Sequence, residues 1–292
     1  NLPHPNCHPA VAWLCSVMCY IPYVMVDGAE RKEKEDVVKP SIYRHLSAMS
    51  QERGRRNKKG QSMRNLLAEL FAHCGSDSLS EDGLREIIER HKCAPNNKDI
   101  QSNGFFHNAC CNDLVTDGII RCLLEYFPGA ASATNYNGQT QLHILCGNKN
   151  VTLEIVRLLI DAFPSSLHQE DNDGCVPIHR LCENKRLDDA FALEILKLLV
   201  EKCPESVRHA NSDGNLPIHL ACGRGEKSPE FCRILIEAYP GSEQYANNGG
   251  ALPFHWACEY GTVVTAEYLY KLYPDAINYA STDGRYPIHY AI

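Results

Sequence analysis

The chain has 292 residues, 44% of them apolar, with 29 Lys and Arg against 36 Asp and Glu for a net charge of −7. Length suggests about two domains, and the apolar content is sufficient for a packed core. Residues 1–66 hold 11 basic and 6 acidic side chains, whereas the remainder hold 18 and 30; an acidic main body argues against binding a phosphate backbone, so no nucleic-acid partner is expected.

Residues 1–60 read as a separate N-terminal segment, irregular, helical or disordered. It opens with the uncharged run "AVAWLCSVMCYIPYVMV" (10–26). Seventeen residues with Pro22 among them lie at the short limit for a membrane span. A buried or interfacial segment is the leading reading, a span the alternative, and a membrane association could arise only here. Cys7, His8, Cys15 and Cys19 lack a second pair to complete a zinc pattern. "ERKEKED" (30–36) is a solvent-exposed charge run, and "RGRRNKK" (53–59) a solvated basic linker, with a nuclear-import or anionic-surface patch as the alternative.

From about residue 61 to 292 the sequence repeats. "MRNLLAELFAHCG" (63–75) and "DGLREIIERHKC" (82–93) form a divergent first unit, and "QSNGFFHNAC" (101–110) a degenerate second. Then come "NYNGQTQLHILC", "DNDGCVPIHRLC", "NSDGNLPIHLAC", "NNGGALPFHWAC" and "STDGRYPIHYA". The anchor histidines are His107, His143, His179, His219, His255 and His289. Each unit predicts a tight turn in which Gly138, Gly174, Gly214, Gly250 or Gly284 supplies a positive φ. A short helix follows, opened by Pro177, Pro217, Pro253 or Pro287, and then a longer helix apolar on more than one side, such as "TLEIVRLLIDAFP". A proline after each longer helix stops it. About six repeats are expected, the last cut short.

The unit resembles the ankyrin repeat, with Gly-x-x-Pro-Ile-His-x-Ala-Cys where that family has Gly-x-Thr-Pro-Leu-His-x-Ala-Ala. The resemblance implies an all-α solenoid of stacked helix pairs with short turns. It also implies that His143, His179, His219, His255 and His289 are structural, hydrogen-bonding backbone near the repeat junctions. Cys110, Cys146, Cys182, Cys222 and Cys258 stand where the family has a small buried Ala, and repetition in each layer argues for packing rather than catalysis or metal binding. Fifteen cysteines spread through helical patterns read as buried thiols in a reducing interior. Most units are three residues longer than the family's, with four more in "ENKRLDDAFALEI" (183–195), so longer loops between the helices are expected.

No phosphate-loop, nucleophile-elbow, zinc-protease or dinucleotide motif is found. No catalysis, cofactor or metal is expected. The leading function is a scaffold that binds an unidentified protein partner through the concave face. By the resemblance, the contacting residues are Tyr136, Asn137, Gln139 and Asn148; Asn172, Asp173, Glu183 and Asn184; Ser212, Asp213, Asn215 and Arg224; and Asn248, Glu259 and Tyr260. Tyr136, Arg224 and Tyr260 are the expected anchors. The alternatives are a cytosolic appendage of a membrane-attached receptor or channel, or a regulatory part of an enzyme whose catalytic domain lies elsewhere. A monomer in the cytoplasm is expected, with nuclear or membrane-attached placements as alternatives.

Overall fold

The computed structural model describes residues 58–93, 104–223 and 227–291. The apolar run 10–26, both N-terminal charge runs up to residue 57, and Arg224 lie outside the described residues. Inner helices α1 (Lys58–Cys74), α3 (Phe105–Cys111), α5 (Gln141–Cys146), α7 (Pro177–Glu183), α9 (Pro217–Cys222) and α11 (Pro253–Tyr260) alternate with outer helices. The outer helices are α2 (Glu81–Arg90), α4 (Asp117–Tyr126), α6 (Leu153–Ala162), α8 (Asp189–Lys202), α10 (Pro229–Ala238) and α12 (Val263–Leu272). A seventh inner helix, α13 (Pro287–Tyr290), follows. Each inner helix packs on the next inner one and each outer helix on the next outer one, forming two parallel rows. No strand forms among the described residues, and no described helix is long and apolar enough to cross a membrane.

The short inner helices are too brief to stand alone, and packing on neighbouring layers holds them. Pro177, Pro217, Pro253 and Pro287 each occupy the first helical position, where a missing N–H forfeits no helical bond. Outer helices start on a common device. Ser80, Thr116, Thr152, Ser228 and Thr262 each accept the backbone N–H of the residue three positions on, and Asp188 does so at two. Such a cap contributes about 1 kcal/mol. Within α6, Ile155, Val156, Leu159 and Ile160 are all buried, each contributing roughly 1.5–3 kcal/mol.

Two features depart from the sequence reading. The proline after each outer helix does more than stop it. Pro128, Pro164, Pro204 and Pro274 each begin a 3-10 turn, and a shorter one at Ser242–Gln244 follows Pro240. The four extra residues of the fourth unit also do not lengthen a loop. α6 and α8 both begin seven residues after their repeat cysteine, Cys146 and Cys182, but α8 has 14 residues against 10. The insertion is therefore one more turn of outer helix, because "DDAFALEILKLLVEK" continues the apolar spacing without a break.

The repeat cysteines Cys74, Cys110, Cys146, Cys182, Cys222 and Cys258 are buried in the core as thiols outside any disulfide. Burial pushes Cys74 and Cys146 up to about 12, so neither is a nucleophile near neutral pH.

Candidate protein-binding surface

The turn of each unit is built from its first residue. The side-chain oxygen of Asn135 accepts the N–H groups of Asn137 and Gln139, both at 2.9 Å. Asn211 and Asn247 repeat the pattern, and Asp171 uses the same geometry toward Asp173 and Cys175. The glycine that closes the turn has φ between 71° and 78° at Gly138, Gly174, Gly214, Gly250 and Gly284. Neighbouring tips are then joined. The N–H of Asn172 donates to Asn137 O, Ser212 to Asp173 O, Asn248 to Asp213 O, and Thr282 to Gly249 O, all at 2.9–3.0 Å. The result is a continuous row of tips with a fixed spacing.

The anchor histidines tie this row to the inner helices. Nδ1 of His143, His179, His219, His255 and His289 accepts a backbone N–H from the residue three positions earlier, at 2.9–3.2 Å. An Nδ1 that accepts carries no proton, so the neutral ring holds its proton on Nε2. Nε2 then donates to the next unit: His107 to Gln139 O, His143 to Cys175 O, His179 to Asn215 O, and His219 to Ala251 O. Each acceptor is the residue after the next turn glycine. His255 donates to Tyr279 O at 3.1 Å. Burial is the main force holding His107, His143, His179, His219 and His255 below the ordinary imidazole range, down to about 4 at His179 and His219, and the acceptor carbonyls oppose it.

A second ladder joins the inner helices at their other end. Asn112 Nδ2 donates to Cys74 O and Ser76 O, Asn148 to Cys110 O and Asn112 O, and Asn184 to Cys146 O and Asn148 O. In the fifth unit Lys227 takes over, and its Nζ donates to Asn184 O at 2.6 Å. Lys227 is 2% exposed, and burial lowers its pKa. Thr265 then donates its hydroxyl to Lys227 O.

These ladders sort the residues expected at a binding face. Asn148, Asn184 and Asn215 are buried. The amides of Asn148 and Asn184 are committed to backbone carbonyls, and Asn215 Oδ1 accepts from Asn247, so they brace the stack and offer a partner little. Asn172 and Asn248 are exposed, but each amide also donates to the preceding tip, at Tyr136 O and Ser212 O. Tyr136, Asn137, Asp173, Ser212, Asp213, Glu259 and Tyr260 are exposed, and Gln139 and Glu183 half-buried. Tyr136 and Tyr260 are 65% and 53% exposed, with Tyr260 lying beside Trp256 at a ring separation of 6.2 Å.

Arg180 was not among the sequence candidates. Its guanidinium contacts Asp171, Asp173 and Glu183 together. Asp171 replaces the asparagine of other units with a charge, in a position where its side chain has no exposure. Burial pushes its carboxyl up, but Arg180 and the turn N–H groups outweigh that and hold it below the ordinary range. The sequence signal was available: among units three to six, only the fourth has Asp at the head of the turn and Arg after the anchor histidine.

Residues 189–283 match the family model for ankyrin repeats in three copies. The chain carries ankyrin repeats. The array is also similar to the crystal structure of the human ASB11 ankyrin repeat domain, with a TM-score of 0.57 and 15% identity. That alignment covers 78% of this chain and 91% of the other. No curated protein matches the chain in sequence. Ankyrin repeats generally serve as protein–protein interaction modules, and the fold is typically non-enzymatic.

Proposed function

We propose that the ankyrin array is a scaffold that binds a protein partner along the concave side, through the row of turn tips and the open ends of the inner helices. The observation that carries this reading is the pair of exposed tyrosines, Tyr136 on the third unit's tip and Tyr260 at the end of α11, with acidic side chains between them. Exposed Asp173 and Asp213 stand on successive tips, and Glu259 adjoins Tyr260. Aromatic anchors flanked by acidic groups suit an extended partner segment with basic and apolar side chains. The hydrogen-bonded tip row holds these groups at fixed spacing before binding, which reduces the entropy cost of association.

The test is affinity capture with the whole chain, followed by quantitative binding of the partner obtained. Tyr136→Ala and Tyr260→Ala should each weaken binding by roughly 1–2 kcal/mol. Both should leave the melting temperature nearly unchanged, because exposed substitutions shift stability by less than about 0.5 kcal/mol. A control lies on the outer row, where Phe191 on α8 is 58% exposed. If Phe191→Ala abolishes binding and neither tyrosine change affects it, the outer row is the binding face and the proposal fails.

A further inference from the structure

His168, Cys203 and Glu205 form a cluster outside the repeat motif, across the junction of the third and fourth units. His168 ends the 3-10 turn Pro164–Leu167, and Cys203 and Glu205 flank Pro204 directly after α8. Cys203 Sγ lies 3.4 Å from His168 Nδ1, which lies 3.6 Å from Glu205 Oε1. All three ligand atoms fall within 4.8 Å of one another. We propose that these three side chains form a Zn2+ site, with a fourth position open to solvent.

The spacing supports the assignment. Zinc bonds of about 2.3 Å to sulfur and about 2.0–2.2 Å to nitrogen or oxygen, at tetrahedral angles, place neighbouring ligand atoms about 3.3–3.6 Å apart. Two of the three edges already have that length, so uptake of the ion requires little rearrangement beyond drawing the Glu205 carboxylate toward the sulfur. The donor set, one thiolate, one imidazole and one carboxylate, suits Zn2+ and does not suit Mg2+ or Ca2+. His168 and Glu205 have side chains 54% and 63% exposed, while Cys203 is buried. The ion would therefore sit at the surface with its sulfur ligand anchored beneath it. Coordination displaces the thiol proton to solvent.

Comparison among the chain's own units adds a second observation. In units two, three, five and six the residue that ends the outer helix and precedes proline is Phe127, Phe163, Tyr239 or Tyr273, an aromatic ring in each case. Among units two to six only the fourth places a cysteine there, and the imidazole of the preceding unit occupies the space beside it. The ordinary repeat does not need this cysteine, and none of the anchor histidines takes part in the cluster. A bound ion would staple the 3-10 turn of the third unit to the end of α8.

The experiment uses the whole reduced chain, with Zn2+ titrated by calorimetry and Co2+ as the spectroscopic probe. Cys203→Ala and His168→Gln are compared with the parent, since either removes one ligand and His168 is too exposed to be needed for folding. The parent should bind one more equivalent of Zn2+ than either variant. Its Co2+ form should show a thiolate charge-transfer band and intense tetrahedral visible bands that both variants lack. Zn2+ should raise the melting temperature of the parent and leave that of His168→Gln unchanged. Equal stoichiometry and equal Co2+ spectra in all three proteins would overturn the proposal and leave His168 as a ring that fills the volume of a missing aromatic.

Discussion

Acid should loosen the array through its anchor histidines before its surface carboxylates are protonated. In the folded chain His179 and His219 sit at about 4 because burial disfavours the imidazolium, while in the unfolded chain they return to about 6.5. Their Nδ1 atoms also face backbone N–H groups, at 3.2 and 3.1 Å, so a proton placed there meets a donor. The folded value is depressed, so the stabilisation is present in full above about pH 6.5 and is lost as pH falls toward about 4. At about pH 5 the unfolded ring is almost wholly protonated and the folded ring almost wholly neutral, which costs about 2 kcal/mol for each of the two. His107, His143 and His255 are displaced in the same direction, again chiefly by burial, and add to the loss. The assay is urea unfolding followed by circular dichroism at several pH values between about 7.5 and 5. The urea midpoint should fall steeply across that window. His219→Gln should be less stable than the parent at neutral pH yet show a shallower dependence on pH. A flat midpoint in the parent, or the same slope in the variant, would show that the anchor histidines do not govern the response to acid.

Three further substitutions probe separate parts of the frame. Asn184→Ala removes both donors to Cys146 O and Asn148 O in a buried site and should cost about 2–4 kcal/mol by urea unfolding, because the carbonyls lose their partners. Gly214→Ala places a Cβ at φ 77° and 2.6 Å from Asn248 N, so destabilisation should exceed the roughly 1–2 kcal/mol of left-handed strain alone; a variant within 0.5 kcal/mol of the parent, on the order of ordinary surface changes, would show that the tip row is not rigid. Cys222→Phe should cost roughly 1–3 kcal/mol or more by overpacking, since the thiol is fully buried and 3.6 Å from Cys232 Sγ; unchanged thermal stability would mean the layer can open to admit the ring.

Much of the frame is legible in the sequence because the features that create it recur. A glycine that must adopt positive φ, a proline that can only open a helix and an apolar face spaced for helices each appear several times, and repetition separates them from chance. The elements that escaped sequence reading occur once or depend on partners far along the chain. Asn148 and Asn184 are expected at the binding face by the resemblance, but with Asn112 they recur at intervals of 36 as amides that cap carbonyls of the preceding unit, and both are buried. Lys227 continues that ladder from a different loop position, so no spacing rule identifies it. The four additional residues in 183–195 predict a longer loop because length alone does not say which element takes them up; Asp188 caps the helix, and the extra residues extend α8 by a turn. On the candidate surface, Tyr136 and Tyr260 are exposed, as expected from their place in the unit, whereas the Arg180 cluster is marked in the sequence only by Asp171 and Arg180 standing where units three, five and six have Asn and an apolar residue.

A protein partner seated along the tips of this ankyrin array, as proposed, would be located by hydrogen exchange with and without the captured partner. New protection is expected at the tips, 136–139, 172–174, 212–214 and 248–250, and along α7, α9 and α11, with the outer helices α6, α8 and α10 unchanged. Protection confined to the outer helices, with exchange at the tips unaltered, would contradict it.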